Sequence, residues 1–259
     1  MKKQKIIIDT DVGTDCDDLF ALVYALKNPN ADLRAIQTVQ GDTNLRAKIA
    51  RKLEKMVHGI DNTKIIPGLS CNKRAARKWW TGIEKLHLDE EDLQEEIKEK
   101  DLTTNPEYTR DTNLACIGPL TNIAYQLRKN PSIRNVQKIY VMGSHPGSHN
   151  FIVDSPAAEK VFAQSWKVSY VTKQTSQQLS LSREELESLK GNPLGDFLHS
   201  AATRWLDLTH RDCAAMYDVL TVSAALGEDY VKFRQEDGKR VSYDVDPKLK
   251  QKLLDAIRK

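Results

Sequence analysis

The chain has 259 residues, 40% of them hydrophobic and 29% charged, which suits an ordinary globular protein with room for one large domain. A net charge of +3 argues against a nucleic-acid or membrane-surface partner, and no apolar run approaches the length of a membrane span. Four widely spaced cysteines (Cys16, Cys71, Cys116, Cys213) form no CxxC pair, so they read as free thiols of a reducing, cytoplasmic setting and not as zinc ligands or a disulfide frame.

A first strand starts almost at Met1, which leaves no space for a signal peptide. Its apolar run Ile6-Ile7-Ile8 leads into Asp9-Thr10-Asp11-Val12-Gly13-Thr14-Asp15-Cys16-Asp17-Asp18, five carboxylates within ten residues. A helical pattern follows at once, so the layout is strand, acidic loop, helix. Like charges this close repel by roughly 1 kcal/mol or more per pair at moderate effective dielectric. A hard cation held by oxygen ligands would remove that cost, whereas a solvated acidic turn would simply bear it.

The helix ends near Asn28-Pro29-Asn30, and a strand over Leu33–Val39 reaches the polar turn Gln40–Asn44. A helix over Leu45–Val57 and a short strand over Lys64–Pro67 continue the alternation. This βαβα rhythm predicts an α/β fold, an open, mainly parallel sheet with helices on both faces and one domain throughout. Residues 71–111 break the rhythm as a charged insertion: basic over Asn72–Lys78, aromatic at Trp79-Trp80, and mixed Glu and Lys over Asp89–Lys100. It reads either as a solvated surface helix or as a lid in which Trp80 stacks on a flat ligand. The pattern resumes with a strand over Asn113–Ile117, the turn Gly118-Pro119, which can aim the Ile117 carbonyl outward, and a helix over Ile123–Arg128. A strand over Val136–Met142 ends in a Gly- and His-rich loop, with a helix over Pro156–Gln164 and a strand over Lys167–Val171 beyond. From Thr172 the pattern is mostly helical, with helices starting at Ser182, spanning Asn192–Leu208 and spanning Ala214–Leu226. A strand pair around Glu236-Asp237-Gly238 and a helix over Pro247–Ile257 close the chain.

Several separated segments, in order, resemble the nucleoside hydrolase family. They are Asp9-Thr10-Asp11-Val12-Gly13 with Asp17-Asp18, then Ile117–Ala124, then Val141-Met142-Gly143 with His149–Ala158, and Tyr217-Asp218-Val219-Leu220-Thr221. The resemblance implies a calcium-dependent N-ribohydrolase that splits a ribonucleoside into free base and ribose, and a homo-oligomer, dimer or tetramer. By motif position it implies that Asp11 is a metal ligand and the base that takes a proton from water. Asp18, the Ile117 carbonyl and Asp218 would complete the protein's metal ligands. Asp17 and Asn150 would meet the ribose, with Asp42 standing where the family has a ribose-side Asn.

The chain departs from the family pattern in places. The loop between Gly13 and Asp17 is longer, so Asp15 competes with Asp17 for the ribose role. Ser148 replaces a ribose-side Glu, and Tyr217 replaces the His that precedes the metal Asp in many purine-acting members. Tyr217, His145 and His149 are the candidates for assisting the leaving base, while His58, His87, His199 and His210 read as structural. With the base end altered, an unusual or modified nucleoside is a reasonable substrate. Two rival readings remain: a ribosyl-ligand-binding protein without turnover, and a haloacid-dehalogenase-type phosphatase with Asp9 as nucleophile and Asp11 as acid/base. An EF-hand is excluded, because a strand-like run precedes the loop and its twelfth position lacks Glu.

Overall fold

The computed structural model describes residues 3–60, 62–71, 82–99, 101–136, 138–143 and 147–259. Ten strands are present among them: β1 (Gln4–Thr10), β2 (Ala31–Thr38), β3 (Lys64–Pro67), β4 (Thr112–Cys116), β5 (Lys138–Met142), β6 (Lys167–Val171), β7 (Ser180–Ser182), β8 (Cys213–Ala215), β9 (Val231–Glu236) and β10 (Lys239–Val245). Eight form one sheet in the order β3-β2-β1-β4-β5-β6-β10-β9. All neighbours pair in parallel except the edge hairpin β9–β10. That hairpin turns at Asp237 and Gly238, both at positive φ (49° and 73°), which matches the right-handed strand twist.

The unbroken apolar run of β1 is explained by burial on both faces. Ile6 and Ile8 enter a core built with the helices Asp17–Lys27, Thr43–His58, Pro193–Thr209, Tyr217–Ala225 and Lys248–Arg258. Ile7 points the other way, into a second core with Leu114, Cys116, Ile123 and Val161, closed by the helices Thr121–Lys129 and Ser155–Phe162. The expected α/β architecture with helices on both faces is therefore present. β1 and β4 are adjacent although far apart in sequence, so the strand order reverses between them. The crevice beyond the carboxyl ends at such a reversal is where open α/β sheets bind ligands. The acidic loop after β1 and the Ile117-Gly118 turn after β4 flank that crevice.

Three expectations are corrected locally. The predicted helix over 214–226 starts only at Tyr217, because residues 213–215 pair with β7 as β8. A short helix, His149–Val153, precedes the helix expected near Pro156 and carries His149 and Asn150. Val136, the first residue of the expected strand over 136–142, is instead the C-cap of the 3-10 turn Pro131–Asn135, and the strand is Lys138–Met142. Ser182 does start a helix, through a capping box with Glu185.

Candidate active site

Asp17 and Asp18 lie in the first turn of the helix Asp17–Lys27, and Asp218 lies in the first turn of the helix Tyr217–Ala225. These two helices pack on each other, which brings residues 200 positions apart into one cluster. One carboxylate oxygen from each of Asp17, Asp18 and Asp218 falls within 4.8 Å of the others, and all three side chains are buried. Burial and mutual repulsion push all three carboxyls well above the ordinary carboxylate range. The helix N-termini and the hydroxyl of Thr10, which donates to Asp18, offset only part of this. The donor set is all hard oxygen, so it fits a hard cation and not a soft one.

Asp11 is half-buried and sits outside that triad of oxygens, yet its charge raises Asp17, Asp18 and Asp218. Its own carboxyl is raised by burial, an effect opposed by the charges of Arg46 and His149. Gly118 leaves room for it: a Cβ there would come within 3.0 Å of the Asp11 N and Oδ1 and 2.7 Å of Val39 Cγ1. The Ile117 N–H donates to the Asp9 carbonyl at 2.8 Å, and the Ile117 carbonyl accepts from Asn150 Nδ2 at 3.0 Å. A carbonyl has a second lone pair, so this bond leaves room for another partner. Asn150 is thus oriented by the same turn that the resemblance singles out.

Asp15 is only partly buried, accepts from the Cys16 N–H at 2.7 Å, and has its carboxyl raised to about 6, chiefly by burial. Tyr217 is half-buried, and burial with the charges of Asp17 and Asp15 pushes its phenol above the ordinary range. Arg211 opposes that shift in both Asp15 and Tyr217, a rim cation that no motif indicated. His149 is exposed. Asp42 is exposed and serves as N-cap of the helix Thr43–His58, accepting from the Leu45 N–H at 2.9 Å. Trp80 and His145 lie outside the described residues.

Asp9 is fully buried and accepts from Asn122 Nδ2 at 3.0 Å. A nucleophile must reach solvent and substrate, so the phosphatase reading is corrected: Asp9 belongs to the support beneath the site. Asn122 also donates to the Thr38 carbonyl at 3.0 Å and accepts from the Leu69 N–H at 2.8 Å, tying β1, β2 and the turn after β3 together. Asn122→Ala strands each of these buried groups at about 1–3 kcal/mol. It is expected to lower Tm by roughly 5–10 °C in calorimetry; a shift under about 2 °C would show that the amide is dispensable.

Sequence reasoning missed the side chains that hold the loop from behind. Arg46 is buried beneath residues 11–14, and Glu84 and His87 reach the loop from the 3-10 turn Ile83–His87. The signal for Arg46 was an arginine on the apolar stripe of its helix, in line with Ile49 and Leu53. Glu84 gave none, because residues 71–111 carry no regular pattern.

The family model described as inosine-uridine preferring nucleoside hydrolase matches residues 6–253. The inosine-uridine preferring nucleoside hydrolase of Crithidia fasciculata is 32% identical over 65% of this chain, a match that spans 59% of that protein. The non-specific ribonucleoside hydrolase of Salmonella agona is 28% identical over 84% of this chain and 77% of its own length. Among solved structures, a purine-preferring ribonucleoside hydrolase from Gardnerella vaginalis shares the fold with a TM-score of 0.76 at 21% identity, covering 98% of both chains. The match across nearly the whole chain, with the buried acidic cluster at the β1/β4 reversal, means that this chain belongs to the inosine-uridine preferring nucleoside hydrolase family, whose members are hydrolases of N-glycosyl compounds.

Proposed function

We propose that the chain is a calcium-dependent N-ribohydrolase that cleaves a ribonucleoside to ribose and free base. The observation that carries this reading is the buried triad Asp17, Asp18 and Asp218 beside Asp11, at the sheet's strand-order reversal. Calcium suits it better than magnesium, since calcium accepts six to eight oxygen ligands in irregular geometry. Asp11, Asp18, Asp218 and the Ile117 carbonyl would hold the ion, with Asp17 shared between the cluster and the sugar. When bound, such an ion neutralises the carboxylates and acidifies a coordinated water.

The chain's own residues supply the rest. Asp11 takes the proton of the attacking water through its carboxylate. Asp17 and Asn150 hold the ribose hydroxyls, and Asp42 is a further ribose-side candidate by its motif position. As the C–N bond breaks the sugar acquires oxocarbenium character, which the surrounding carboxylates favour. Tyr217, whose phenol is pushed above its ordinary range by burial and the charges of Asp17 and Asp15, is one candidate for donating a hydrogen bond to the departing base. His149, His145 and Trp80 are the remaining candidates at the base end. The relatives' names cite inosine, uridine and ribonucleosides in general. The replacement of His by Tyr at 217 and of Glu by Ser at 148 argues for including modified nucleosides among the substrates.

The test is release of ribose and base from a panel of common and modified ribonucleosides, with calcium and with a chelator. Ribose release that the chelator abolishes is the expected result, and the best substrate identifies the base. Tight nucleoside binding without release from any substrate would overturn turnover and leave a binding protein. Light scattering would test the homo-oligomer that the family implies.

A further inference from the structure

The acidic loop is tied down one residue at a time from outside itself. Arg46 Nη1 donates to the carbonyls of Asp11 and of Val12, the latter at 2.7 Å. His87 Nε2 bonds the Gly13 carbonyl at 2.9 Å. The Thr14 hydroxyl accepts from Arg46 Nη2 at 3.0 Å and donates to Glu84. Arg46 Nε meanwhile donates to the Gln40 carbonyl at 2.7 Å, so one guanidinium joins the end of β2 to the loop after β1. Arg46 and Glu84 are 1% and 0% exposed, with their charged groups 3.9 Å apart.

A buried arginine is costly unless its donors are used, and here the planar fork is used on two backbone carbonyls and one hydroxyl of the loop and on the Gln40 carbonyl. Lysine has no such fork. Gly13 is at φ +115° and its missing Cβ would meet Ile49 Cδ1 at 2.6 Å, so the loop lies flat against this support. Burial lowers the His87 imidazolium from its ordinary value, and since the Gly13 carbonyl can only accept, Nε2 carries the hydrogen of that bond.

We infer that Arg46, braced by Glu84 and His87 of the charged insertion, is a positioning residue that fixes residues 11–14 and thereby aims the Asp11 carboxylate at the metal and water. The described part of the insertion, 82–99, therefore acts as a strut under the site. The kinetic part of this inference rests on the proposed hydrolase reading; the metal-binding part does not.

The experiment compares Arg46→Lys, Arg46→Ala and His87→Ala with the wild type. Each variant is first checked for its Tm and assayed well below it. Terbium(III) luminescence with calcium competition reads the metal site, and ribose release reads turnover. Arg46→Lys is expected to lower kcat by about 10- to 100-fold, as small misplacements of reacting groups do, with KM within about threefold and calcium affinity reduced. His87→Ala should act in the same direction and more weakly. Methylguanidinium added to Arg46→Ala should restore part of kcat, while methylammonium should not. The inference is overturned if folded Arg46→Lys keeps the wild-type kcat and metal affinity. It is equally overturned if activity and affinity fall only in proportion to the unfolded fraction. Should the wild type turn over no nucleoside, the hydrolase reading fails and the calcium affinities alone decide the role of Arg46.

Discussion

Asp11→Asn is expected to lower kcat by about 10³-fold while leaving the nucleoside KM within about threefold, because it removes a general base and keeps the shape of the side chain. The amide cannot take a proton from water, and it still fits beside Gly118, where the absence of a Cβ leaves room for the Asp11 side chain. The effect should appear in kcat and kcat/KM alike, the pattern of an interaction made only in the transition state. Calcium affinity should fall far less than kcat, since the close triad of oxygens comes from Asp17, Asp18 and Asp218. A variant retaining more than about a tenth of the wild-type kcat would remove Asp11 from the role of base. A loss of turnover matched by an equal loss of calcium affinity would make it a ligand only.

The second large effect is on stability, and its sign depends on the metal. At 100 times its Kd, calcium should stabilise the fold by about 2.7 kcal/mol, which raises Tm by roughly 5–10 °C in a chain of this size. Asp218→Asn should remove most of that gain. In the presence of a chelator the same variant should be as stable as the wild type or more so, because it deletes one of several buried carboxylates that repel each other. The pH dependence follows from the direction of the shifts. Asp17, Asp18 and Asp218 hold protons more tightly in the folded chain than in the unfolded one. Their contribution to metal-free stability is therefore fully present below the unfolded value of about 4 and is lost as pH rises through the raised folded values. Calcium needs the deprotonated forms, so the calcium-induced rise in Tm should be largest at neutral pH and shrink as pH falls and the raised carboxyls of the triad take up protons. Thermal scans from about pH 5 to pH 8, with calcium and with chelator, check this. A calcium shift that is flat across that range, or a metal-free Asp218→Asn variant less stable than the wild type, would mean that the triad is not the calcium site.

The fold and the acidic loop were legible because both rest on local chemistry. Ile6-Ile7-Ile8 is apolar at consecutive positions because both faces of β1 are covered, and the five carboxylates stand in one short run. Ile117-Gly118-Pro119 forces its turn by residue type alone, and the order of the motifs was enough to suggest the family. The boundaries near the site were less legible. Residues 214–215 look helical in sequence but pair with β7 as part of β8, which delays the helix to Tyr217 and puts Asp218 in its first turn. His149 and Asn150 read as loop in a Gly-rich stretch and lie on a short helix.

By itself, then, the amino-acid sequence determined the parallel α/β plan, the acidic loop at a strand's carboxyl end and the kinship with nucleoside hydrolases. Only the tertiary structure decided which carboxylates stand together: Asp17 and Asp18 meet Asp218 because two helices far apart in the chain pack side by side, and no local pattern encodes that distance. It also decided what Asp9, Asp42, Arg46, Glu84 and His87 do. A carboxylate, arginine or histidine is the same residue whether it caps a helix, braces a loop or faces a substrate, and burial with its hydrogen-bond partners selects among these roles.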